Sequence, residues 1–237
     1  MKKKNHQENW NHYIGKISLD LFKFLKLPKQ SVVVEIAPGE VNKIGIGLEK
    51  YGFSGTLFIV EPHPKALKEI IKKYKKSLKK AKIIGIKNKL NEAISFLPGK
   101  VDAIIANHPL DDILLGKIIS NKEFKKHFGN EYGTNPEKTK KIWQTVKKSE
   151  LKTIKNQTVQ ELKRLINHCN PRFVILSQYE SYFYKTNNNP FPDKHAYDVL
   201  RMLAKSYEKN KIDFPSQINN KKIDNPKRWL ILKKQNV

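Results

Sequence analysis

Val32-Val33-Val34-Glu35-Ile36-Ala37-Pro38-Gly39-Glu40, continued by Gly55-Thr56-Leu57-Phe58-Ile59-Val60-Glu61, is the stretch whose reading decides the fold. An apolar run ends in an acid and a Pro-Gly turn, a helical segment follows, and a second apolar run also ends in an acid. Strand, tight turn, helix and an acid at the end of the next strand is how parallel α/β sheets hold an adenosine ligand. Glycine at the turn lets the backbone approach that ligand with no Cβ between them. Glu61 falls about twenty residues after the turn, where a carboxylate accepts from both ribose hydroxyls, and ionisation strengthens such bonds. Leu57 to Val60 is apolar without a break, as a strand covered on both faces requires. The glycines of the dinucleotide fingerprint are replaced by Ala37 and by Glu40 to Asn42, so a pyrophosphate lacks its usual seat and an NAD-linked enzyme is disfavoured.

These residues resemble the start of a class I S-adenosylmethionine-dependent methyltransferase. The family's first motif reads here Glu35-Ile36-Ala37-Pro38-Gly39-Glu40-Val41, with Ala37 and Val41 in place of its first and third glycines. An acid ending the second strand is matched by Glu61 in Ile59-Val60-Glu61-Pro62-His63-Pro64. A polar residue ending the fourth strand is matched by Asn107 in Ala103-Ile104-Ile105-Ala106-Asn107-His108-Pro109-Leu110. The resemblance runs from about residue 31 onward. It implies an α/β fold with a Rossmann-like seven-stranded methyltransferase sheet, mostly parallel with a terminal antiparallel hairpin, and helices on both faces. It further implies S-adenosylmethionine as cofactor, with Glu35, Ala37 and Gly39 around its methionyl part and Pro38 in the same turn. Glu61 would take the ribose, with Pro62 and His63 near the adenine, and Asn88, Lys89 and Leu90 would lie at the adenine amine.

Asn107-His108-Pro109-Leu110 resembles the Asn-Pro-Pro-aromatic motif of amino-group methyltransferases. In that motif the Asn oxygen and a backbone carbonyl accept protons of the target amine while the aromatic stacks on a planar substrate. His108 replaces the first proline and Leu110 the aromatic, so a stacking platform would have to come from the tyrosines between Tyr179 and Tyr184, which serve equally well as packing. Asn107, His108 and Pro109 are the expected catalytic element. His108 is placed to be a general base near neutral pH, a cofactor contact or an exposed ring. Asp111-Asp112 suits either a cationic substrate or a helix cap.

The chain of 237 residues can bury one sizeable core. Its net charge of +25 comes from 47 basic and 22 acidic residues, and only Arg164, Arg172, Arg201 and Arg228 are arginine. AT-rich coding explains lysine over arginine but not the scarcity of acids. Such a surplus attracts polyanions and makes binding salt-dependent, so RNA or a nucleoprotein is the preferred partner. A small-molecule methyltransferase and a catalytically weakened methyltransferase-fold RNA-binding module are the alternatives. The single cysteine, Cys169, excludes an internal disulfide and a Cys-rich zinc site, and no metal is expected. Without a long apolar run or a signal-like start, a cytoplasmic protein with no membrane contact is expected.

Residues 1–30 read as a helical arm or lid preceding a methyltransferase domain at 31–237. Its first residues, Met1 to Asn5, suggest disorder. Ile14, Ile17, Leu21, Phe24 and Leu25 then predict a helix ending near Pro28, while Trp10, His12 and Tyr13 either close over the cofactor or simply anchor the arm. Helices are predicted after the first turn, stopping at Gly52, and over Lys65 to Lys80, where the lysines make a solvated face. Ala81 to Ile86, Val101 to Ala106 and Phe173 to Ser177 supply three further strands. The long segment before the last of these contains an insertion at about 111–140, read as a substrate lid. It also contains a helix over Ile142 to His168 with Ile154, Val159, Leu162, Leu165 and Ile166 as its buried stripe. An aromatic loop at 178–185 leads to a last helix near His195 to Lys209. Ile212 to Phe214 and Arg228 to Leu232 suit the terminal hairpin.

Overall fold

A computed structural model describes residues 2–119, 136–218 and 225–234. Seven strands form one sheet in the order β3-β2-β1-β4-β5-β7-β6. β1 (Val32–Ile36), β2 (Thr56–Val60), β3 (Lys82–Ile86), β4 (Ala103–Asn107) and β5 (Phe173–Ser177) run parallel. β7 (Trp229–Lys233) is antiparallel to β5 and to the two-residue β6 (Lys211–Ile212), the terminal pair that the sequence suggests. The chain works outward from β1 to β3 and then crosses back to β4. Ligands bind outside the strand ends at such a switch point. Glu35 lies beside Ile59 on one side and Ile105 on the other, so the ends of β1, β2 and β4 come level there.

Alternation along each strand divides the core in two, as a doubly covered sheet demands. Val33, Leu57, Ile59, Ala103, Ile105 and Phe173 pack towards α1 (Lys2–Phe24), α2 (Lys43–Tyr51) and α3 (Pro64–Ser77). Val34, Ile36, Val60, Ile104, Ala106 and Val174 pack towards α4 (Leu90–Ala93), α5 (Leu110–Ile118), α6 (Pro136–Thr145) and α7 (Lys148–Cys169). α8 (Tyr182–Thr186) and α9 (Phe191–Ser206) follow β5, and α9 joins the second face. No helix among the described residues is long and apolar enough to cross a membrane.

Local chemistry sets the boundaries that matter for the site. α2 stops at Gly52, whose φ of 75° is the left-handed conformation that ends many helices. α3 starts with Pro64 in its first turn and the His63 ring as cap, its Nδ1 accepting from Ala66 N at 3.3 Å. α1 is helical from Lys2, where the first residues suggested disorder, and its buried face is Ile14, Ile17, Leu21, Phe22 and Leu25. Phe24, expected inside, is 42% exposed because the helical phase turns Phe22 inward instead. α1 lies so close to α2 that a Cβ on Gly47 would sit 2.8 Å from the Gly15 carbonyl oxygen.

The segment read as insertion and lid begins with α5, immediately after β4, and Leu110, Leu114 and Leu115 of that helix are buried in the core. Residues 120–135, including most of the polar stretch from Phe124 to Pro136, lie outside the described residues. The helix expected over Ile142 to His168 is two helices parted at Val146 and Lys147, with the expected stripe buried in α7. α9 starts at Phe191 because prolines, which read as loop, are well tolerated in a first helical turn.

Candidate active site

The turn after β1 uses two left-handed residues, Ala37 at φ 45° and Gly39 at φ 63°. Ala37 thus keeps a backbone conformation that suits glycine, at a cost of about 1–2 kcal/mol for an L side chain. Its N–H donates to the Val60 carbonyl at 2.8 Å, and that bond fastens the turn to the end of β2. There the Glu61 carboxylate is clamped: Gly39 N donates to Oε2 at 3.1 Å and His63 N to Oε1 at 3.0 Å. A carboxylate offers about four lone-pair positions, so roughly two remain for a ligand. Burial raises the Glu61 pKa, and the two N–H donors only partly offset it.

Beside this carboxylate lies a cleft of about 730 Å³, counted to its open mouth. Of the residues expected around the cofactor, Ala37, Gly39, Glu61, Pro62, His63 and Leu90 line it, as does Lys89. Glu35, Pro38, Asn88 and Asn107 are not on its wall. The opposite wall comes from Asp112, Ile113, Gly116 and Lys117 of α5 and Glu161 of α7, with Lys117 and Glu161 paired at 2.6 Å. Nothing in the local sequence marks Glu161. The α5 residues share one helical face and become legible once a helix is placed after β4.

Glu35 sits inside, accepting from the Tyr74 hydroxyl at 2.7 Å. Burial pushes its pKa up to about 8, so it holds its proton at neutral pH. Tyr74 reaches it only because residue 45 is glycine, where a Cβ would lie 2.2 Å from the Tyr74 ring. His63 has its pKa lowered, chiefly by burial, which suits a neutral ring whose Nδ1 caps α3. Asn88 donates to Glu92 at 3.3 Å.

At the ends of β4 and β5 a chain of polar contacts crosses the sheet edge. Lys43 donates to the Tyr179 hydroxyl at 2.8 Å, Tyr179 donates to Asn107 Oδ1 at 3.1 Å, and Asn107 Nδ2 donates to Ser177 Oγ at 2.8 Å. The Tyr179 ring lies 4.6 Å from His108 and 5.1 Å, edge-on, from Trp10, whose other neighbour is Tyr13 at 5.3 Å. His12 is exposed. Burial alone would raise the Tyr179 pKa, but the Lys43 and His108 charges override it and bring it down.

His108, at φ 59°, is the second non-glycine at the site in a left-handed conformation. Its Nδ1 lies 3.2 Å from Asp111 and its Nε2 3.5 Å from Asp193. Burial would push the imidazole pKa down, but the carboxylates, Asp111 foremost, hold it well above the ordinary histidine value. Asp111 also accepts from Gln178 Nε2 at 3.2 Å and the Tyr184 hydroxyl at 2.9 Å, and its own pKa is lowered by His108. Asp112 goes the other way: burial, Asp111 and Glu61 raise its pKa well above the ordinary aspartate value, against the His108 and Lys43 charges. Pro109 precedes α5, whose first N–H, on Leu110, donates to Gln178 Oε1 at 3.1 Å. Lys43, Gln178 and Asp193 carry no sequence signal for this role, because tertiary packing brings them in.

Strand order, twin-faced helices and the turn-and-acid cleft define the fold of class I S-adenosylmethionine-dependent methyltransferases. The chain superposes on a protein from Clostridium thermocellum described as an rRNA-methylase with a TM-score of 0.51 at 16% identity, over 91% of this chain and 92% of that one. It superposes on PH0851 with a TM-score of 0.52 at 12% identity, over 92% of this chain and 45% of that one. No family model and no curated protein matches the sequence.

Proposed function

We propose that this chain is an S-adenosylmethionine-dependent methyltransferase that modifies a nitrogen or oxygen of RNA or of a nucleoprotein. The observation that carries the reading is the Glu61 carboxylate, pinned by Gly39 and His63 N–H groups with lone pairs left for two ribose hydroxyls. Val60, Leu90 and Ile113 offer an apolar wall to adenine beside the Glu61 carboxyl group. When bound, S-adenosylmethionine supplies an electrophilic methyl group. The chain then has to align a nucleophile and receive its proton.

For alignment we assign Asn107, whose Oδ1 keeps one lone pair after accepting from Tyr179. Tyr179, suspended between Lys43 and Asn107, is the neighbouring group whose proton is loosened. His108, held between the Asp111 and Asp193 carboxyl groups with its pKa raised, is poorly suited to accept a proton, so with Pro109 it positions the corner. The net charge of +25 and the likeness to an rRNA-methylase support RNA as substrate.

Calorimetry with S-adenosylhomocysteine tests the cofactor. Wild type is expected to bind, and Glu61→Ala to bind about a hundredfold more weakly, from two charged hydrogen bonds of ~1.5 kcal/mol each. Because the Glu61 pKa is raised, wild-type affinity should fall on acidification already above the ordinary carboxylate range, and Glu61→Gln should be insensitive there. Failure of the wild type to bind, or equal binding by Glu61→Ala, overturns the reading.

A further inference from the structure

A second cleft opens at the same edge of the sheet, beyond the Asn107–His108 corner, between the residues that follow β5 and the first turns of α9. It encloses about 1060 Å³, counted to its mouth. Lys185, Lys194, Arg201 and Arg228 are on its walls. The Arg228 guanidinium lies 4.5 Å from the Tyr197 ring centroid and that of Arg201 5.4 Å, an arrangement that leaves in-plane N–H donors for an anion. Arg228 Nε has no partner among the described residues, while its Nη1 donates to the Gln178 carbonyl at 3.3 Å and its Nη2 holds the outer carboxylate of Glu180 at 3.1 Å. That side chain is 58% exposed, so a phosphate displaces it at little cost.

Asn189 also lines the cleft, at 1% exposure, and its buried Oδ1 has no partner among the described residues. A buried orphan acceptor costs about 1–3 kcal/mol, which a ligand hydroxyl or amine recovers. The acids on the wall each have partners, and two of them hold the arginines: Glu180 pairs with Arg228 and Asp198 with Arg201. Asp193 serves His108 and the Ser181 N–H, and Asp198 serves Lys155 and Arg201.

We propose that this cleft binds the sugar-phosphate backbone of a single-stranded RNA segment next to the nucleotide that is methylated. The proposal rests on the methyltransferase reading of the first cleft. The two clefts are neighbours, parted by one layer of buried side chains: Asp193 and Tyr184 on the wall of the second contact His108 and Asp111, and Asp112, the next residue, lines the first. RNA seated on the arginines therefore lies beside the His108 corner, next in sequence to Asn107.

With a charge of +25, RNA could instead be held diffusely by any lysine-rich face, and α3 presents exposed Lys68, Lys72 and Lys75 on the opposite flank of the sheet. Anisotropy of a short fluorescent single-stranded RNA under a salt titration separates the two. The triple variant Lys185→Ala, Lys194→Ala, Arg201→Ala is expected to lower the log-log salt slope by about 2 and the affinity at physiological salt by at least about tenfold. The α3 triple variant Lys68→Ala, Lys72→Ala, Lys75→Ala removes as many charges and is expected to stay within about twofold of wild type. Equal losses in both, no loss in the cleft variant, or equal competition by polyglutamate would falsify the RNA site. S-adenosylhomocysteine binding, measured on the same variants, should be unchanged. Its absence in all of them alongside cleft-dependent RNA binding would remove the methyltransferase reading and leave the RNA site standing.

Discussion

At the scale of single residues, Glu35 shows how far a motif position can depart from its expected task. It stands where the resemblance places a methionyl contact, yet it lies behind the turn, protonated and bonded to Tyr74. Its pKa rises from 4.5 to about 8, so the folded chain keeps a proton that the unfolded chain releases across this interval. The stability it contributes is full below 4.5 and is lost as pH climbs to about 8, at about 1.4 kcal/mol per pH unit. Glu35→Gln keeps an acceptor for Tyr74 and removes the titration. Thermal unfolding from about pH 5 to about pH 8 should give a flatter profile for the variant and a higher Tm at the alkaline end, and an unchanged slope would refute this account. Ala37 was legible as a departure from the family's glycine. That the backbone nevertheless adopts φ 45° was not, because strain is set by what fastens the turn, here the Val60 carbonyl.

At the scale of elements, the strands were readable because continuous apolar runs between turn signals admit few other interpretations. The helices around the site were less so. α5 is hard to read because an acid pair amid leucines and isoleucines shows little amphipathic contrast, and the start of α9 is hidden by prolines that resemble a loop. The packing of α1 on α2 leaves only a faint trace, the glycines at 15 and 47. Gly47→Ala would set a Cβ 2.8 Å from the Gly15 carbonyl and 2.8 Å from the Ser18 Cβ, and the backbone carbonyl has little room to yield. A loss of about 1–3 kcal/mol is expected by denaturant titration. The emission of Trp10 should shift as well, since α1 carries it onto Tyr179. A variant as stable as wild type would mean that the two helices can separate freely.

At the scale of the whole molecule, a charge of +25 opposes compaction through self-repulsion. Added sodium chloride screens it, so Tm should climb between low and physiological ionic strength while RNA affinity falls. A Tm that drops with salt would show that specific ion pairs, such as Lys117–Glu161 and Lys155–Asp198, outweigh the general repulsion. Tyr74 meanwhile joins three elements at one point: it stands on α3, occupies the space that glycine leaves on α2, and bonds the acid of β1. Positions 35, 45 and 74 therefore form one heritable unit. A lineage that puts a side chain at 45 must first shrink the ring at 74, and once that hydroxyl is gone a carboxyl at 35 becomes a burden to be replaced. Divergent copies of this chain that carry a side chain at 45 should thus lack both the tyrosine at 74 and the acid at 35.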